Sequence, residues 1–353
     1  MTQRLPFLDR LAVPAIAAPM LRVSGIELVS AACRAGVVGA FPTANAESLE
    51  AFAGWMARLN DEAAAAREAG TAHAPWCPNL IMRRDPARVR AEVELIVRHR
   101  AELVITSVGS PAAVIPALHD GGCLVLADVA SVHHAERAIE AGADGLVLLT
   151  AGAGGHTGWA NPFAFVRAVR AFFDGPLVLA GGLPDGVALR AATVLGCDLG
   201  SMGTRFIATE QSLASAPYKK MLAASSLDDV MTTRAFTGLP ANFLRPSVVN
   251  AGLDPGGTRR DGVGAGGAPA LRRRFRGRRD PALGRPVERR ALGRRGGRAG
   301  HGRAGGARAA RGIPRVCIGL GFSLKGASET PDGLRGPRPE ARRGVSLAPD
   351  FLQ

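Results

Sequence analysis

Short apolar runs alternate with amphipathic stretches through the first 210 residues of the chain. Most runs are continuously apolar, which is typical of strands buried on both faces of a parallel sheet. They predict eight strands, over Pro14–Ala18, Val37–Phe41, Trp76–Ile81, Leu103–Ser107, Cys123–Asp128, Gly145–Leu149, Leu177–Ala180 and Leu199–Met202. Between the strands, helical spacing of apolar residues predicts helices that include Glu47–Glu68, Pro86–Arg100, Val132–Ala141, Pro162–Phe173 and Gly186–Leu195.

Residues that favour helix ends support these bounds. Asp85 and Asn161 stand where an N-cap belongs, and each is followed by a proline at the first helical position. Gly142 and Gly196 stand where two helices end, a position that favours glycine.

Eight strands separated by helices are the count of a (β/α)8 TIM-type barrel, and this α/β fold is the predicted class. An open doubly wound sheet usually has fewer strands and carries its phosphate-binding glycines after the first one. Here the first strand ends in Ala-Ala-Pro-Met at positions 17–20, and the glycine-rich turns follow strands six, seven and eight. The barrel is therefore preferred.

The net charge of +14 is unevenly distributed along the chain. Residues 1–254 carry 21 Lys and Arg against 23 Asp and Glu, whereas residues 255–353 carry 23 against 7 and hold 22 of the 45 glycines. The second part has no apolar period and too little apolar surface to offset chain entropy. We therefore predict a barrel domain over residues 1–254 and an Arg/Gly-rich tail over residues 255–353.

The composition of this tail is what GC-rich codons yield when they are read out of frame. We interpret residues 255–353 as a shifted reading frame. A disordered basic arm that binds nucleic acid by counterion release is one alternative, and an ordered extension is another. Translating the underlying DNA in the other two frames would distinguish these interpretations.

The five cysteines are widely spaced and form no Cys-x-x-Cys or Cys/His cluster, at positions 33, 77, 123, 197 and 317. Neither a metal site nor a disulfide framework is predicted. The amino-terminal sequence lacks the apolar segment of a signal peptide, and no apolar run has membrane-spanning length. A reducing, cytoplasmic location is expected.

Three predicted strand ends carry glycines that suit a bound phosphate. Strand six leads into Gly-Ala-Gly-Gly-His at positions 152–156, strand seven into Gly181 and Gly182, and strand eight into Gly203 and Thr204. In a barrel these turns lie at the same edge, where backbone N–H groups and a threonine hydroxyl form a nest for an anion. A phosphate-bearing cofactor is predicted.

The first of these turns presents His156, whose side chain titrates near neutral pH and can move a proton. The alternative is an exposed histidine in a glycine-rich loop. The remaining histidines of the barrel region have no partner motif, and surface positions are expected for His73, His99, His119, His133 and His134. Structural roles are expected for Thr106, Ser107 and Ser110, which lie near the end of strand four.

Five motifs in register resemble one family. They are AAPM at 17–20, AGAGGHTGWANP at 151–162, LAGG at 179–182, GCDLGSMGTRF at 196–206 and RAFTGLPANFLRPS at 234–247. These motifs resemble the nitronate monooxygenases, formerly called 2-nitropropane dioxygenases, which are FMN-dependent barrels. The resemblance runs from about Leu11 to Asp254 and ends where the composition changes.

The resemblance implies FMN as cofactor. It places the phosphate at Gly181, Gly182, Gly203 and Thr204, and the isoalloxazine edge against residues 18–20. The full set of implied cofactor-binding residues is Ala18, Pro19, Met20, Asn79, Asp128, Gly154, Gly155, Ala180, Gly181, Gly182, Gly203 and Thr204. Asp128 departs from the neutral or basic residue that is frequent there, and a carboxylate would disfavour negative charge on a reduced flavin.

The resemblance also implies that His156 takes the α-proton of a nitroalkane, and that dioxygen then serves in forming a carbonyl compound and nitrite. With a preformed nitronate as substrate, His156 would instead donate a hydrogen bond to the nitro oxygens. The family's closing segment over the flavin has no counterpart in residues 255–353, so weak or absent FMN loading is expected.

Two other functions remain open. An FMN-dependent enoyl reductase shares the barrel and a Gly-Gly-His turn but takes hydride from NAD(P)H. Nucleic-acid binding through the basic tail is the alternative of another class. The partners expected for the preferred function are a nitro compound or nitronate and dioxygen, with no membrane, and the oligomeric state is left open.

Overall fold

A computed structural model describes residues 5–253 of the chain. Eight parallel strands close into a barrel in the order β1-β2-β3-β4-β5-β6-β8-β9. These strands are β1 (Ala15–Ala17), β2 (Val38–Pro42), β3 (Trp76–Ile81), β4 (Leu103–Ser107), β5 (Leu124–Val129), β6 (Gly145–Leu149), β8 (Leu177–Ala180) and β9 (Leu199–Met202). The barrel prediction is confirmed, and each predicted strand lies within about two residues of an observed one.

Helices separate most of the barrel strands and lie outside them. They are α1 (Ile26–Arg34), α2 (Leu49–Glu68), α3 (Pro86–Arg98), α4 (Ile115–Asp120), α5 (Val132–Glu140), α6 (Pro162–Arg170), α7 (Gly186–Leu195), α8 (Thr204–Ile207), α9 (Ala216–Ala224) and α10 (Arg245–Asn250). Both predicted N-caps form, because the Asp85 and Asn161 side chains accept from backbone N–H groups two residues later, at 3.1 and 2.9 Å.

Successive side chains along each strand point to opposite faces of the sheet, and this divides the core into a layer inside the barrel and a layer between the barrel and the helices. One set of strand residues faces the barrel interior, among them Ile16, Cys77 and Leu126. Leu5 and Phe7, which precede β1, pack with this set and close the amino-terminal end of the barrel. The residues between them on each strand pack outward against the helices. This arrangement leaves the opposite end, where the strands finish, available for a site.

A second sheet of three strands packs beside the carboxyl end of β6. It contains β7 (Gly155–His156), β10 (Val230–Thr233) and β11 (Ala241–Leu244), in the order β10-β11-β7. All pairs are antiparallel, and Ala241 lies opposite His156. The sequence pattern did not predict this sheet, which carries the glycine turn after β6 into contact with residues more than eighty positions later.

Among residues 5–253, no helix combines the length and apolar character needed to cross a membrane. The division of the chain at Asp254 and all three interpretations of residues 255–353 lie outside the described part of the structure. They stay predictions.

Candidate active site

The glycine turns after β6 and β8 pack backbone against backbone. A Cβ atom added to Gly181 would lie 2.3 Å from the amide nitrogen of Ala153, and one added to Gly152 would lie 2.8 Å from that of Gly182. Gly181 also has a φ of +109°, in the region that side chains disfavour. Both turns therefore require glycine, and the sequence correctly placed them side by side.

The backbone at Gly182 borders open space. Gly182 has a φ of +70°, and a Cβ there would meet no atom within 4 Å. Within the described part of the chain, the backbone N–H groups of Gly182, Gly203 and Thr204 donate to no carbonyl in a turn, loop or cap. Free N–H groups are suited to an anion, and the open space at Gly182 leaves room for one, so these residues fit a phosphate.

The third turn touches the loop that follows β1. A Cβ on Gly203 would lie 3.4 Å from the Met20 sulfur and 4.0 Å from the Ala18 Cβ. The structure thus brings together two segments that lie more than 180 residues apart in the chain. Both were predicted to contact the same cofactor.

Two polar side chains that the sequence analysis missed hold this loop, the buried Ser24 and the half-buried Asn45. The Ser24 hydroxyl donates to the Ala18 carbonyl and accepts from the Met20 N–H, at 2.9 and 3.0 Å. The Asn45 amide donates to the carbonyls of Met20 and Ser24, each at 2.9 Å. The Ala18 N–H also donates a hydrogen bond to the Met202 carbonyl, at 3.0 Å.

These contacts change what residues 18–20 can offer to a ligand. The N–H groups of Ala18 and Met20 are already bonded within the protein. The Pro19 carbonyl accepts no hydrogen bond from the described residues. The loop therefore presents an apolar wall and one free acceptor, with fewer backbone donors than a flavin edge was expected to find.

A polar layer lines the barrel interior near the strand ends. The Asn79 amide donates to the Ser107 hydroxyl at 3.1 Å and to the Ile105 carbonyl at 3.3 Å, and both side chains are buried. Asp128 lies in the same inward register, two residues beyond Leu126 on β5. Asn79 is thus part of a hydrogen-bonded pair inside the barrel.

Asp128 has no hydrogen-bond partner among the described residues. Burial raises the pKa of its carboxyl group to about 7. At neutral pH a large share of the carboxyl groups is therefore protonated and uncharged. The carboxyl group then carries no charge, so the electrostatic penalty that the sequence predicted for a reduced flavin is smaller. A neutral carboxylic acid can also donate a hydrogen bond.

We expect the substitution Asp128→Asn to stabilise the cofactor-free protein more at pH 8 than at pH 5. The folded protein holds the Asp128 proton more tightly than the unfolded chain, so wild type loses stability as pH rises from about 4 to about 7. Asparagine does not titrate. Urea unfolding at both pH values measures the difference, with the exposed Asp120→Asn as control. An equal effect of Asp128→Asn at the two pH values would contradict the assignment.

His156 lies on β7, where β11 holds its backbone. Its Nε2 atom is 3.2 Å from the Thr237 hydroxyl, whereas Nδ1 has no hydrogen-bond partner among the described residues. Partial burial lowers the pKa of the ring below its ordinary value, so the imidazole is neutral at pH 7. A neutral, oriented imidazole with one unpartnered nitrogen is able to accept a proton.

Asn242 on β11 holds the glycine turn in place, and the sequence analysis missed it. Its amide donates to the carbonyls of Ala151 and Ala153, each at 2.8 Å, and lies 3.3 Å from the Thr157 hydroxyl. The side chain is buried. One amide thus joins both ends of the turn that presents His156.

We expect Asn242→Ala to lower the free energy of unfolding by about 1–3 kcal/mol, because it leaves two carbonyls without their donor. Urea denaturation measures this loss. Thr232→Val, which removes only the hydroxyl that bonds the Asn242 side-chain oxygen, serves as control and should cost less. If Asn242→Ala were as stable as wild type, the amide would not be what holds the turn.

The expectation for His73 was wrong. The residue is only 7% exposed, and its Nε2 atom is buried without a hydrogen-bond partner among the described residues. His133 is exposed as expected, with 75% of its side chain accessible. His119 pairs with Asp144 at 2.8 Å on the surface.

Residues Gly181, Gly182, Gly203 and Thr204 (the glycine cradle), the apolar loop at residues 18–20 and the turn that leads to the neutral His156 all follow the carboxyl ends of barrel strands. This combination is typical of barrel oxidoreductases that bind a phosphorylated redox cofactor. Comparison with known proteins gives the particular family: the model of the nitronate monooxygenase family matches residues 6–253. The chain belongs to this family, whose members are flavin enzymes, and the predicted family, enzyme class and fold are confirmed.

Relatives in this family differ in their named activities. The chain is 27% identical to a (3aS,4S,5R,7aS)-5-hydroxy-7a-methyl-1-oxo-octahydro-1H-indene-4-carboxyl-CoA dehydrogenase of Rhodococcus jostii, over 71% of this chain and 68% of that protein. It is 29% identical to a nitronate monooxygenase of Pseudomonas aeruginosa, over 68% and 80%. Among solved structures, FabK from Thermotoga maritima is similar with a TM-score of 0.60 and 28% identity, over 69% and 75%.

Proposed function

We propose that this protein uses FMN and dioxygen to oxidise nitroalkanes or alkyl nitronates to a carbonyl compound and nitrite. The observation that carries the proposal is His156, a neutral and oriented imidazole that follows the turn packed against Gly181. The family match supports the flavin and the nitro substrate.

The residues present fit FMN. Gly181, Gly182, Gly203 and Thr204 would hold its phosphate through free N–H groups and the threonine hydroxyl. The ring system would meet the apolar loop at residues 18–20, and Asp128 and Asn79 would face it from the barrel interior. When bound, FMN supplies the redox step, because it can pass electrons from an organic substrate to dioxygen.

His156 would take the α-proton of a neutral nitroalkane. Thr237 lies 3.2 Å from Nε2, and in the tautomer whose Nε2–H donates to the Thr237 hydroxyl, Nδ1 is the proton acceptor. Loss of the proton leaves the substrate as a nitronate, whose negative charge lies on the nitro oxygens. The imidazolium that results would then donate a hydrogen bond to those oxygens. A positioned base of this kind contributes about 10²–10⁴-fold to the rate.

A second candidate is an NAD(P)H-dependent reductase of the enoyl type. The likeness to FabK, at an identity close to that of the nitronate monooxygenase relative, favours keeping it. Both candidates use the same cradle, so the fold does not distinguish them. They differ in which small molecule delivers electrons to the flavin.

Anaerobic mixing of the FMN-loaded protein with each electron donor tests the proposal. We expect the yellow flavin absorbance to bleach with ethyl nitronate and to persist with NADH or NADPH. Admission of oxygen should then release nitrite. Rapid bleaching with a nicotinamide, and none with the nitronate, would overturn the proposal in favour of the reductase.

A further inference from the structure

A cleft of about 530 Å³ opens at the opposite end of the barrel from the glycine turns. It lies between the carboxyl ends of α2 and α3 and the residues that lead into β3 and β4. Its volume falls within the range of about 300–1,000 Å³ that is typical of small-molecule sites. In a TIM barrel this end does not carry the catalytic residues, so the cleft is separate from the site described above.

The wall of the cleft is strongly basic. Arg67, Arg98 and Arg100 line it and form no ion pair with any described residue. Glu102 is the one carboxylate in the described lining, and Arg10 is its ion-pair partner. The positive charges of these three arginines therefore have no ion-pair partner within the described part of the chain.

His73 adds an independent observation. It lines the same cleft, the residue is more than nine-tenths buried, and its Nε2 atom has no hydrogen-bond partner among the described residues. A buried polar atom without a partner costs free energy unless a ligand or water satisfies it. Burial lowers the pKa of the ring, so the group that satisfies Nε2 at neutral pH meets an uncharged imidazole, and it reaches this atom when the ring turns toward the cleft.

The backbone conformation of Arg100 is a further observation that favours a binding role for the cleft. Arg100 has a φ of +56°, two residues beyond the end of α3. The equivalent position after five other helices is a glycine with positive φ, at Gly36, Gly70, Gly122, Gly142 and Gly252. Glycine adopts this left-handed conformation without the steric cost that other residues meet. The chain keeps an arginine at a position where glycine would be more stable.

Arg67 and Arg98 also stand in the last turns of their helices, where a cation complements the helix dipole. That role accounts for two of the arginines and leaves Arg100 and His73 unexplained. We propose that the cleft binds a small phosphorylated molecule, with Arg67, Arg98 and Arg100 supplying the positive charge and His73 a buried hydrogen-bonding group. Planar guanidinium groups match phosphate oxygens, and a phosphate monoester carries nearly two negative charges at pH 7.

Titration calorimetry with pyrophosphate tests the proposal on the full chain, and the comparison of variants separates binding in the cleft from binding at the glycine cradle. Arg100→Gly removes the charge and installs the residue that the backbone favours, so its melting temperature should equal or exceed that of wild type. We expect this variant to bind pyrophosphate about 10–100-fold more weakly. Arg98→Gln should shift affinity in the same direction.

Arg90→Ala is the matched control, because Arg90 is exposed on the same helix and does not line the cleft. It keeps the basic tail and should leave pyrophosphate affinity unchanged. Equal affinity in Arg100→Gly and Arg90→Ala would overturn the proposal, since binding would then reflect general positive charge. Malonate should bind more weakly than pyrophosphate, and tighter malonate binding would overturn the assignment to phosphate.

Discussion

Replacement of His156 by alanine should lower turnover of neutral nitroalkanes by about 10²–10⁴-fold, while much of the activity on preformed nitronates remains. The difference arises because only the neutral substrate needs a base for its α-proton. The ring is neutral at pH 7 and is held through Thr237, so wild type is ready to accept that proton. Steady-state oxygen consumption with nitroethane and with ethyl nitronate measures the two effects.

The control is His133→Ala, which removes an exposed imidazole on α5 and should leave both activities unchanged. Thr237→Val should fall between the two, because the base remains but loses its orienting partner. An equal loss on nitroethane and ethyl nitronate in His156→Ala would mean that His156 acts in substrate binding, and the base assignment would fail.

Alanine at Gly181 should be the most damaging change in the cofactor cradle. The added Cβ would lie 2.3 Å from the Ala153 nitrogen and 2.7 Å from the Thr150 hydroxyl, in a backbone with a φ of +109°. Neither backbone can move without separating the two turns. We expect the free energy of unfolding to fall by about 3 kcal/mol or more, and flavin to be lost.

Gly182→Ala is the matched control for this change. Its φ is also positive, but its Cβ would enter open space, so the expected cost to stability is only about 1 kcal/mol. That open space is where the phosphate is predicted, so FMN affinity should still fall. Urea unfolding and FMN titration separate the two effects. Equal stability of the two variants would contradict the packing of the turns.

The barrel could be predicted from the chain because the signal is local. Continuous apolar runs such as Gly145–Leu149 mark strands buried on both faces, and residues such as Asn161 begin helices by bonding their own backbone. The placement of Gly181 beside Gly152 followed from the barrel alone, since parallel strands end at one edge.

The side chains that hold the loops of the site could not be predicted, because their hydrogen bonds join residues that are distant in the sequence. Asn242 bonds carbonyls that lie about ninety positions earlier, and Asn45 bonds a loop some twenty-five positions earlier. An asparagine in isolation is typical of a turn or a cap. The burial of His73 likewise depends on how the connection from α2 to β3 folds, which carries no periodic signal.

The role of His156 as base is tested by the isotope effect on kcat/KM with nitroethane deuterated at the α-carbon, measured with FMN supplied in excess. We expect a primary isotope effect in wild type, because His156 removes that proton before electrons leave the substrate. With preformed ethyl nitronate the effect should vanish. If nitrite formed from nitroethane without any isotope effect, and at the same rate in His156→Ala, His156 would not be the base.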